Sequence, residues 1–489
     1  MTFARPAGGG GRRLRLGEGD VWPEGAAAAP ATRAPRAPAA GRRWPPLPLT
    51  IFVVSLLLPW QISLGPLSLS PTRIVLLILV VPCVGIWLSG RAGRLRLTDV
   101  LLVLFWLWCS ISLVAVHGLG FAIQPSGILF IETMGAYLVA RCFIRDLDGF
   151  RAALRLLFLA IAALLPFAVL EAVTGRNILL EALGMLLPTY ADAGEEARFG
   201  LRRAQTVFEH PILYGAFPGS ILALVHLVLG HRRPVVVRWS RSLVVGAAAV
   251  VSLSSGPLLA VVIQVALMSW ERILRAIALR WKLLIALLVL TYVPLELVSN
   301  RSVPELYISY FTFSQHTSWY RILIWQYGIA SVLAHPLFGI GFHEWARASF
   351  MTSSIDAFWL VPAVRHGAPA ALLLLGALAS TFLLCRRPME SDALRAARLG
   401  FVIVMTSFFV VGCTVHFWAT SYMFFTFLLG SGIWLFDARD GQGTSIVDEP
   451  RRERGGVAAP RPVTGRRRGG VAAAARESRR DPRLSSGRT

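Results

Sequence analysis

Apolar residues occur in this chain in long blocks and do not alternate with polar ones as they do in half-buried strands. Most blocks reach or approach the roughly twenty residues that a helix needs to cross the hydrocarbon core of a membrane. The pattern predicts an all-α fold, a polytopic bundle of about twelve transmembrane helices. The predicted spans cover residues 47–64, 72–89, 97–116, 124–141, 154–173, 208–230, 242–254, 257–270, 283–298, 357–384, 399–416 and 418–436.

The seventh and eighth blocks are short, and a cluster of helix-breaking residues joins them. Its sequence is Ser254-Ser255-Gly256-Pro257. Inside a membrane, non-helical backbone is tolerated only where protein or a water-filled cavity satisfies its polar groups. The break therefore indicates a polar site within or beside the bundle.

The overall composition agrees with a membrane protein and excludes an ordinary soluble enzyme. Of 489 residues, 55% are hydrophobic and 16% are charged, and the formal net charge is +22. Much of this charge lies in two tails, residues 1–46 and 437–489, which are poor in apolar residues and are predicted to be disordered. Because the tails contain almost no aromatic residues for base stacking, a nucleic-acid partner is not expected. No metal-ligand spacing and no glycine-rich phosphate loop is found, so no metal or cofactor is expected.

Arginines in alternate short loops predict the orientation of the bundle. Cytoplasmic loops of membrane proteins carry an excess of positive charge, and this rule places both termini in the cytoplasm. Two longer segments, about residues 174–207 and 299–356, then lie outside. They nevertheless keep arginines, which suits a polyanionic ligand, although an arginine-rich genome would also produce them. These arginines are Arg176, Arg198, Arg202, Arg203, Arg301, Arg321 and Arg347.

Each outer segment contains a motif that could carry chemistry. The first ends in Arg202-Arg203 directly before a span, and two adjacent guanidiniums suit a pyrophosphate because each can donate two hydrogen bonds to phosphate oxygens. The second contains the stretch from Ser318 to Trp325, which is predicted to form an amphipathic helix at the surface with Arg321 projecting from its side. Simple interfacial anchoring by tryptophan and tyrosine would explain the same pattern.

These motifs, taken in order, resemble the O-antigen ligase and polymerase superfamily. The resemblance covers approximately residues 47–436. Members of that family are inner-membrane glycosyltransferases that take a glycan from a polyprenyl-pyrophosphate carrier on the outer face. They pass it to another sugar, to lipid A core or to a protein. The resemblance is carried by Arg203 to Pro211, the break at residues 254–256, the run from Arg321 through Pro336-Leu337-Phe338-Gly339-Ile340-Gly341, the segment from Ile355 to Leu360, and His366-Gly367.

The resemblance implies a role for individual residues. The family's arginines match Arg203 and Arg321, whereas the His-Asn pair common in ligases is replaced by Asp356-Ala357. This departure favours an exopolysaccharide or O-antigen polymerase over a lipid A ligase. We therefore expect Arg203, Arg321 and Asp356 to be catalytic. The residues expected to bind substrate are Arg202, Glu209, His210, Trp325 and His366.

The chemistry can also be argued from the residues themselves. Arginines can balance the charge that develops on a pyrophosphate leaving group, and an acceptor hydroxyl then attacks from the opposite face, which favours inversion without a metal ion. Asp356 is the first choice as general base, with Glu209 and His210 as alternatives, although an aspartate here could instead cap the next helix. Glu132 lies inside a span, either in a substrate cavity or bonded to a neighbouring helix. His416 is expected to make a local polar contact.

The expected partners are a polyprenyl-pyrophosphate-linked oligosaccharide donor, a glycan acceptor, membrane lipids and other proteins of polysaccharide assembly and export. Two alternative functions stay open. The first is a ligase that attaches glycan to lipid A core or protein. The second is a transporter or flippase, which the broken pair of spans and the charged Glu132 would fit, but which leaves the arginines of the outer segments unexplained.

Overall fold

The structure is a computed structural model that describes residues 44–64, 67–194, 196–300, 303–310, 315–389 and 391–438. The predicted disordered tails lie outside the described residues, except for their ends nearest the bundle. Within the described ranges the chain is mostly helical, and the strands form one short antiparallel hairpin of β1 (Ile62–Leu64) and β2 (Leu67–Leu69). The predicted all-α class is confirmed at this level.

Ten helices among the described residues are long and apolar enough to cross a membrane, and the protein is a multi-pass membrane protein by this criterion. Several of them are built from two or three consecutive helical pieces. The ten are Pro71–Leu88 (α2), Leu97–His117 (α3), Leu119–Phe143 (α4, a π-helical turn and α5), Leu147–Thr174 (α6), Pro211–Leu229 (α8, α9 and a π-helical turn), Ser255–Ile273 (α11), Arg280–Val298 (α12), Ala368–Arg386 (α16 and a 3-10 turn), Asp392–Gly412 (α17) and Ala419–Phe436 (α18 and a 3-10 turn).

Six shorter or more polar helices complete the described structure. They are α1 (Leu47–Ser55), α7 (Ile178–Gly184), α10 (Val235–Val251), α13 (Val303–Tyr310) and α15 (Leu360–His366), and α14 (Gln315–Ala334) is long but too polar to be counted among the spans. The bundle therefore has fewer long apolar helices in its described part than the sequence predicted.

The first predicted span, residues 47–64, is wrong. Helix α1 ends at Ser55 after nine residues, which is too short to cross, and the chain then turns into the β1–β2 hairpin. Pro59 explains this end, because proline has no backbone N–H to donate and its ring clashes with the preceding turn of a helix. The seventh predicted span is α10, which has 17 residues and begins near Arg238 and Arg241.

The second outer segment, predicted as a long loop before the tenth span, is partly helical. It contains α13 and α14, and the chain from 335 to 359 then runs without a regular helix to α15. Ile324 of α14 packs with Trp345, Met351 and Ile355 in a small hydrophobic core separate from the main one. The segment thus folds over its own apolar cluster, and this fixes the orientation of the helix that carries Arg321.

Long-range contacts sort the loops into two ends of the bundle. At one end, Arg96 pairs with Asp437, and the buried Asp99 accepts hydrogen bonds from Tyr137 Oη (2.7 Å) and Arg141 Nε (3.4 Å). At the other end, which we call the site end, Trp418 Nε1 bonds Glu209 Oε2. Both predicted outer segments lie at the site end. So do the non-helical residues 252–254 between α10 and α11, which we call the 252–254 break, and the loop of residues 413–418. That the site end faces outward stays a prediction.

Candidate functional site

Arg203 is buried at the site end, where the 252–254 break holds it. Its side chain is 5% exposed, and Nη2 donates a hydrogen bond to Ser254 Oγ at 2.9 Å. Arg198 Nη1 donates to the carbonyl oxygen of Leu253 at 2.8 Å. Leu253 has φ +46°, a left-handed conformation that is uncommon for a branched residue and turns its carbonyl toward Arg198. The helix break thus lies at residues 252–254 and includes only Ser254 of the predicted cluster 254–257, whose other residues begin α11, and it bonds two arginines of the first outer segment.

Close packing brings this break against the loop of residues 413–418. A Cβ added to Gly256 would lie 2.4 Å from Val415 Cγ2, so only glycine allows this approach. The same loop accepts a hydrogen bond from Phe358 N to Val415 O at 3.1 Å. Residues from three separate parts of the sequence therefore meet at one place.

Arg321 is buried on α14 and makes no hydrogen bond or ion pair with the residues that the structure describes. Its side chain is 8% exposed, and Asp356, Tyr307 and Arg198 lie close enough to act on it electrostatically. Burial lowers the pKa of Arg321, while Asp356 opposes this shift and Arg198 adds to it. Taking a guanidinium out of water without a bonded anion costs several kcal/mol in general. A buried arginine in this state is poised to bind an anion.

Asp356 lies beside Arg321 and does not cap the next helix. Ser354 Oγ donates to Asp356 Oδ1 at 2.8 Å. Helix α15 begins at Leu360, its N-terminal cap is Trp359, and no side chain accepts a capping bond there. The alternative in which Asp356 serves as a helix cap is therefore wrong, and its carboxylate stays available to the site.

Glu209 and His210 both contact Trp418, the last residue of the 413–418 loop. Trp418 Nε1 donates to Glu209 Oε2 at 2.7 Å, and the rings of His210 and Trp418 are 6.0 Å apart between centroids. Burial raises the pKa of Glu209, and bonds from Trp418 and Tyr190 oppose this shift. His210 Nδ1 accepts the Ile212 N–H at 3.1 Å and so caps α8.

Glu132 forms a partly buried ion pair with Arg73, a partner that the sequence did not identify. Arg73 Nε donates to Glu132 Oε1 at 2.8 Å, and Arg73 Nη2 lies 2.7 Å from the same oxygen. Glu132 belongs to the π-helical turn Ile131–Gly135, and such turns are frequent at functional sites. Of the two alternatives for Glu132, bonding to a neighbouring helix is observed. Glu209 lies close enough to Glu132 to act on it electrostatically.

Arg202 points away from Arg203 and fixes the backbone of the loop. It forms an ion pair with Asp192, and its Nε lies 3.6 Å from Glu171 Oε1. Its Nη1 donates a hydrogen bond to Gly175 O at 2.7 Å. Glu171 in turn accepts the N–H groups of Gln205 at 3.1 Å and Thr206 at 2.9 Å. Thr206 has φ +51°, so these bonds hold a strained turn between Arg203 and Glu209.

Replacing Glu171 with glutamine is expected to loosen this turn. The amide keeps one acceptor oxygen but loses the charge that holds Arg202 and two backbone N–H groups, and bonds to a charged group contribute about 1.5–3 kcal/mol each. We expect the activity with which the variant complements a strain lacking the gene to fall about tenfold, while the amount of the protein in the membrane stays unchanged. Glu181→Gln, on an exposed pair with Arg176, is the matched control and should have no effect. Equal activity of the two variants would contradict the role of Glu171.

His366 and Trp325 support the site from outside it. His366 Nδ1 lies 3.4 Å from Ser112 Oγ, and its carbonyl accepts from Trp108 Nε1 at 3.0 Å. No contact among the described residues brings His366 to Arg203 or Arg321. Trp325 Nε1 donates to Cys413 O at 2.8 Å and so ties α14 to the 413–418 loop.

His416 is the residue at this site that the sequence analysis undervalued. Its ring lies against Phe358 (6.3 Å between centroids) and Trp418 (5.8 Å). The expected local polar contact is missing, because Nδ1 is buried without a hydrogen-bond partner among the described residues. Its nearness to Trp418 in sequence was the available signal, but the orphaned nitrogen is visible only in the fold.

The assembled site places three arginines, a carboxylate and a histidine around one break in the membrane bundle. No protein-family model matches the sequence, and no curated protein matches it closely enough to indicate a relative. The site and the motif resemblance are therefore the two indications of function. Buried guanidiniums beside a carboxylate can bind a phosphate-bearing ligand and remove a proton from a group that attacks it.

Proposed function

We propose that the protein is a bacterial inner-membrane glycosyltransferase that polymerises polyprenyl-pyrophosphate-linked oligosaccharide on the periplasmic face, in exopolysaccharide or O-antigen biosynthesis. The observation that supports this most is Arg321, a buried guanidinium that bonds no anion among the described residues and lies near Arg198 and Asp356. Arg203 lies at the same end of the bundle on the 252–254 break. The order of these residues along the chain is that of the ligase and polymerase superfamily.

In this proposal the arginines bind the pyrophosphate and stabilise its departure. Planar guanidiniums donate paired hydrogen bonds to phosphate oxygens, and charge that develops on the leaving oxygen is balanced without rearrangement of the site. The acceptor hydroxyl attacks the anomeric carbon from the opposite face, so the configuration inverts. Asp356 assists the removal of the hydroxyl proton. Since Arg203 and Arg321 are both nearly covered, the donor must displace covering side chains to reach them.

Asp356→Asn tests the assisting role of the carboxylate. The amide has a similar shape and keeps a hydrogen-bond acceptor for Ser354, but it cannot stabilise a positive charge or take a proton. We expect transfer to fall about 100-fold, the order seen when acid–base assistance is removed, with donor binding unchanged. Steady-state rates of the purified protein with lipid-linked glycan, beside binding of undecaprenyl pyrophosphate, provide the measurement. An unchanged rate would remove Asp356 from the chemistry.

A transporter or flippase is the second candidate, and the ion pair that joins Arg73 of α2 to Glu132 of the span Leu119–Phe143 favours it. Deleting the gene in its host separates the candidates. A polymerase predicts that single repeat units accumulate on the lipid carrier while long polymer disappears. A ligase predicts long polymer on the carrier that does not reach lipid A or protein. A flippase predicts single units that stay on the cytoplasmic face, where an external glycosidase does not reach them in spheroplasts.

A further inference from the structure

The loop of residues 413–418, between α17 and α18, contacts three separate segments of the proposed site. Cys413 O accepts from Trp325 Nε1 on the helix of Arg321. Val415 O accepts from the N–H of Phe358, two residues after Asp356. Trp418 donates to Glu209. The loop therefore fixes His416, at its centre, relative to all three segments.

Two aromatic rings pack against His416 and leave one of its nitrogens without a bond to any described residue. Phe358 and Trp418 hold the ring at interplanar angles of 29° and 30°, and Nδ1 has no hydrogen-bond partner among the described residues. A buried polar atom left without a partner costs about 1–3 kcal/mol. This unpartnered nitrogen belongs to a ring that Asp356 is close enough to influence electrostatically.

The charge state of His416 suits a proton acceptor. Burial lowers the pKa of His416 to about 4, Asp356 opposes the shift and Arg365 adds to it. The ring is therefore neutral at physiological pH, and with its proton on Nε2 it presents the Nδ1 lone pair. A carboxylate beside a neutral imidazole stabilises the imidazolium that forms when the ring takes a proton.

We infer that His416 is the group that accepts the proton of the acceptor sugar hydroxyl, with Asp356 stabilising the imidazolium. This inference rests on the proposed function. In the step, the hydroxyl oxygen forms a bond to the anomeric carbon as the bond from that carbon to the pyrophosphate oxygen breaks. The electron pair of the broken bond stays on the pyrophosphate, the hydroxyl proton moves to His416 Nδ1, and the ring later releases it to water.

His416→Gln tests this assignment, with His231→Gln as the matched control. His231 also has a buried ring nitrogen, Nε2, without a hydrogen-bond partner among the described residues, but it lies at the other end of the bundle near Arg151 and Asp392. Each variant is purified into nanodiscs and checked for a monodisperse profile. Binding of undecaprenyl pyrophosphate is measured, and transfer is measured with lipid-linked glycan extracted from the deletion host. His416→Ala serves as a second variant if the first does not fold.

We expect His416→Gln to bind undecaprenyl pyrophosphate within twofold of wild type and to lose transfer by about 100-fold, while His231→Gln changes neither. A fall in transfer of less than tenfold, or a loss of binding as large as the loss of transfer, would overturn the role of His416. If wild-type protein neither binds the probe nor transfers glycan, the proposed function fails and this inference fails with it.

Discussion

Arg321→Ala is expected to abolish polymer at a normal level of the protein in the membrane. Arg321 is buried, and its guanidinium bonds no described residue, so its removal breaks no bond of the described structure. It does remove positive charge from the place where the leaving pyrophosphate becomes negative. Loss of one such group costs about 100- to 1,000-fold in rate in enzymes that stabilise a developing anion. Polymer length on gels and tagged protein in membranes provide the measurement in the complemented deletion host.

Two further variants make this result specific. Arg321→Lys keeps the charge but loses the planar fork, so we expect it to restore only part of the activity. Arg176→Ala removes an arginine of the first outer segment that pairs with Glu181 on the surface, and it should leave polymer unchanged. Full-length polymer in cells that carry Arg321→Ala would remove the central residue from the proposed site.

Gly367→Ala is expected to have the largest effect on stability. Gly367 separates α15 from α16 at φ +84°, and a Cβ there would lie 1.9 Å from the carbonyl oxygen of Leu337. With ψ at +167° this is a backbone region that essentially only glycine adopts; it costs a residue with a side chain about 1–3 kcal/mol, and forced overlap adds about 1–3 kcal/mol. The turn that contains Leu337 would have to move. We therefore expect a lower yield of folded protein and a lower unfolding temperature than in wild type. Size-exclusion profiles recorded after heating provide the measurement.

Gly127→Ala is the matched control for this stability prediction. Gly127 lies within α4, and an added Cβ would meet no atom within 4 Å. Alanine in a helix is favoured over glycine by about 1 kcal/mol, so the variant should be as stable as wild type or slightly more so. A Gly367→Ala protein that is as stable as the Gly127→Ala protein would show that the close turn is not needed.

The helical bundle could be predicted from the sequence because each span needs its own run of apolar residues. The prediction failed where local chemistry ends a run early. Pro59 stops α1 after nine residues, and α10 includes Arg238 and Arg241 within its first two turns, so its apolar stretch is shorter than a span. The helix that carries Arg321 was predicted as helical, and the structure places it over residues 315–334.

The candidate site was only partly predictable for a different physical reason. Arg203, Arg321 and Asp356 were singled out by the motif resemblance, together with their place in outer segments beside spans, and their roles stay predictions. Their partners come from distant parts of the chain: Ser254 is 51 residues from Arg203, and Arg73 is 59 residues from Glu132. No local pattern encodes such pairings, because only the packing of the helices creates them.

The structure also separates residues that look equivalent in sequence. Arg202 and Arg203 are neighbours, yet Arg202 pairs with Asp192 and lies near Glu171, whereas Arg203 bonds the break at Ser254. Asp356 is likewise not a cap, since α15 starts at Leu360, three residues later than the predicted span that begins at residue 357. In both cases the direction of a side chain decides its role.

The most direct test of the central claim is the reaction itself. Wild-type protein in nanodiscs is mixed with lipid-linked glycan from the deletion host, and the lipids and glycans are followed by mass spectrometry. We expect one free undecaprenyl pyrophosphate to appear for each glycosidic bond formed, and neither product to form with Arg321→Ala. Lipid-linked glycan that stays intact with properly folded wild-type protein would contradict the account.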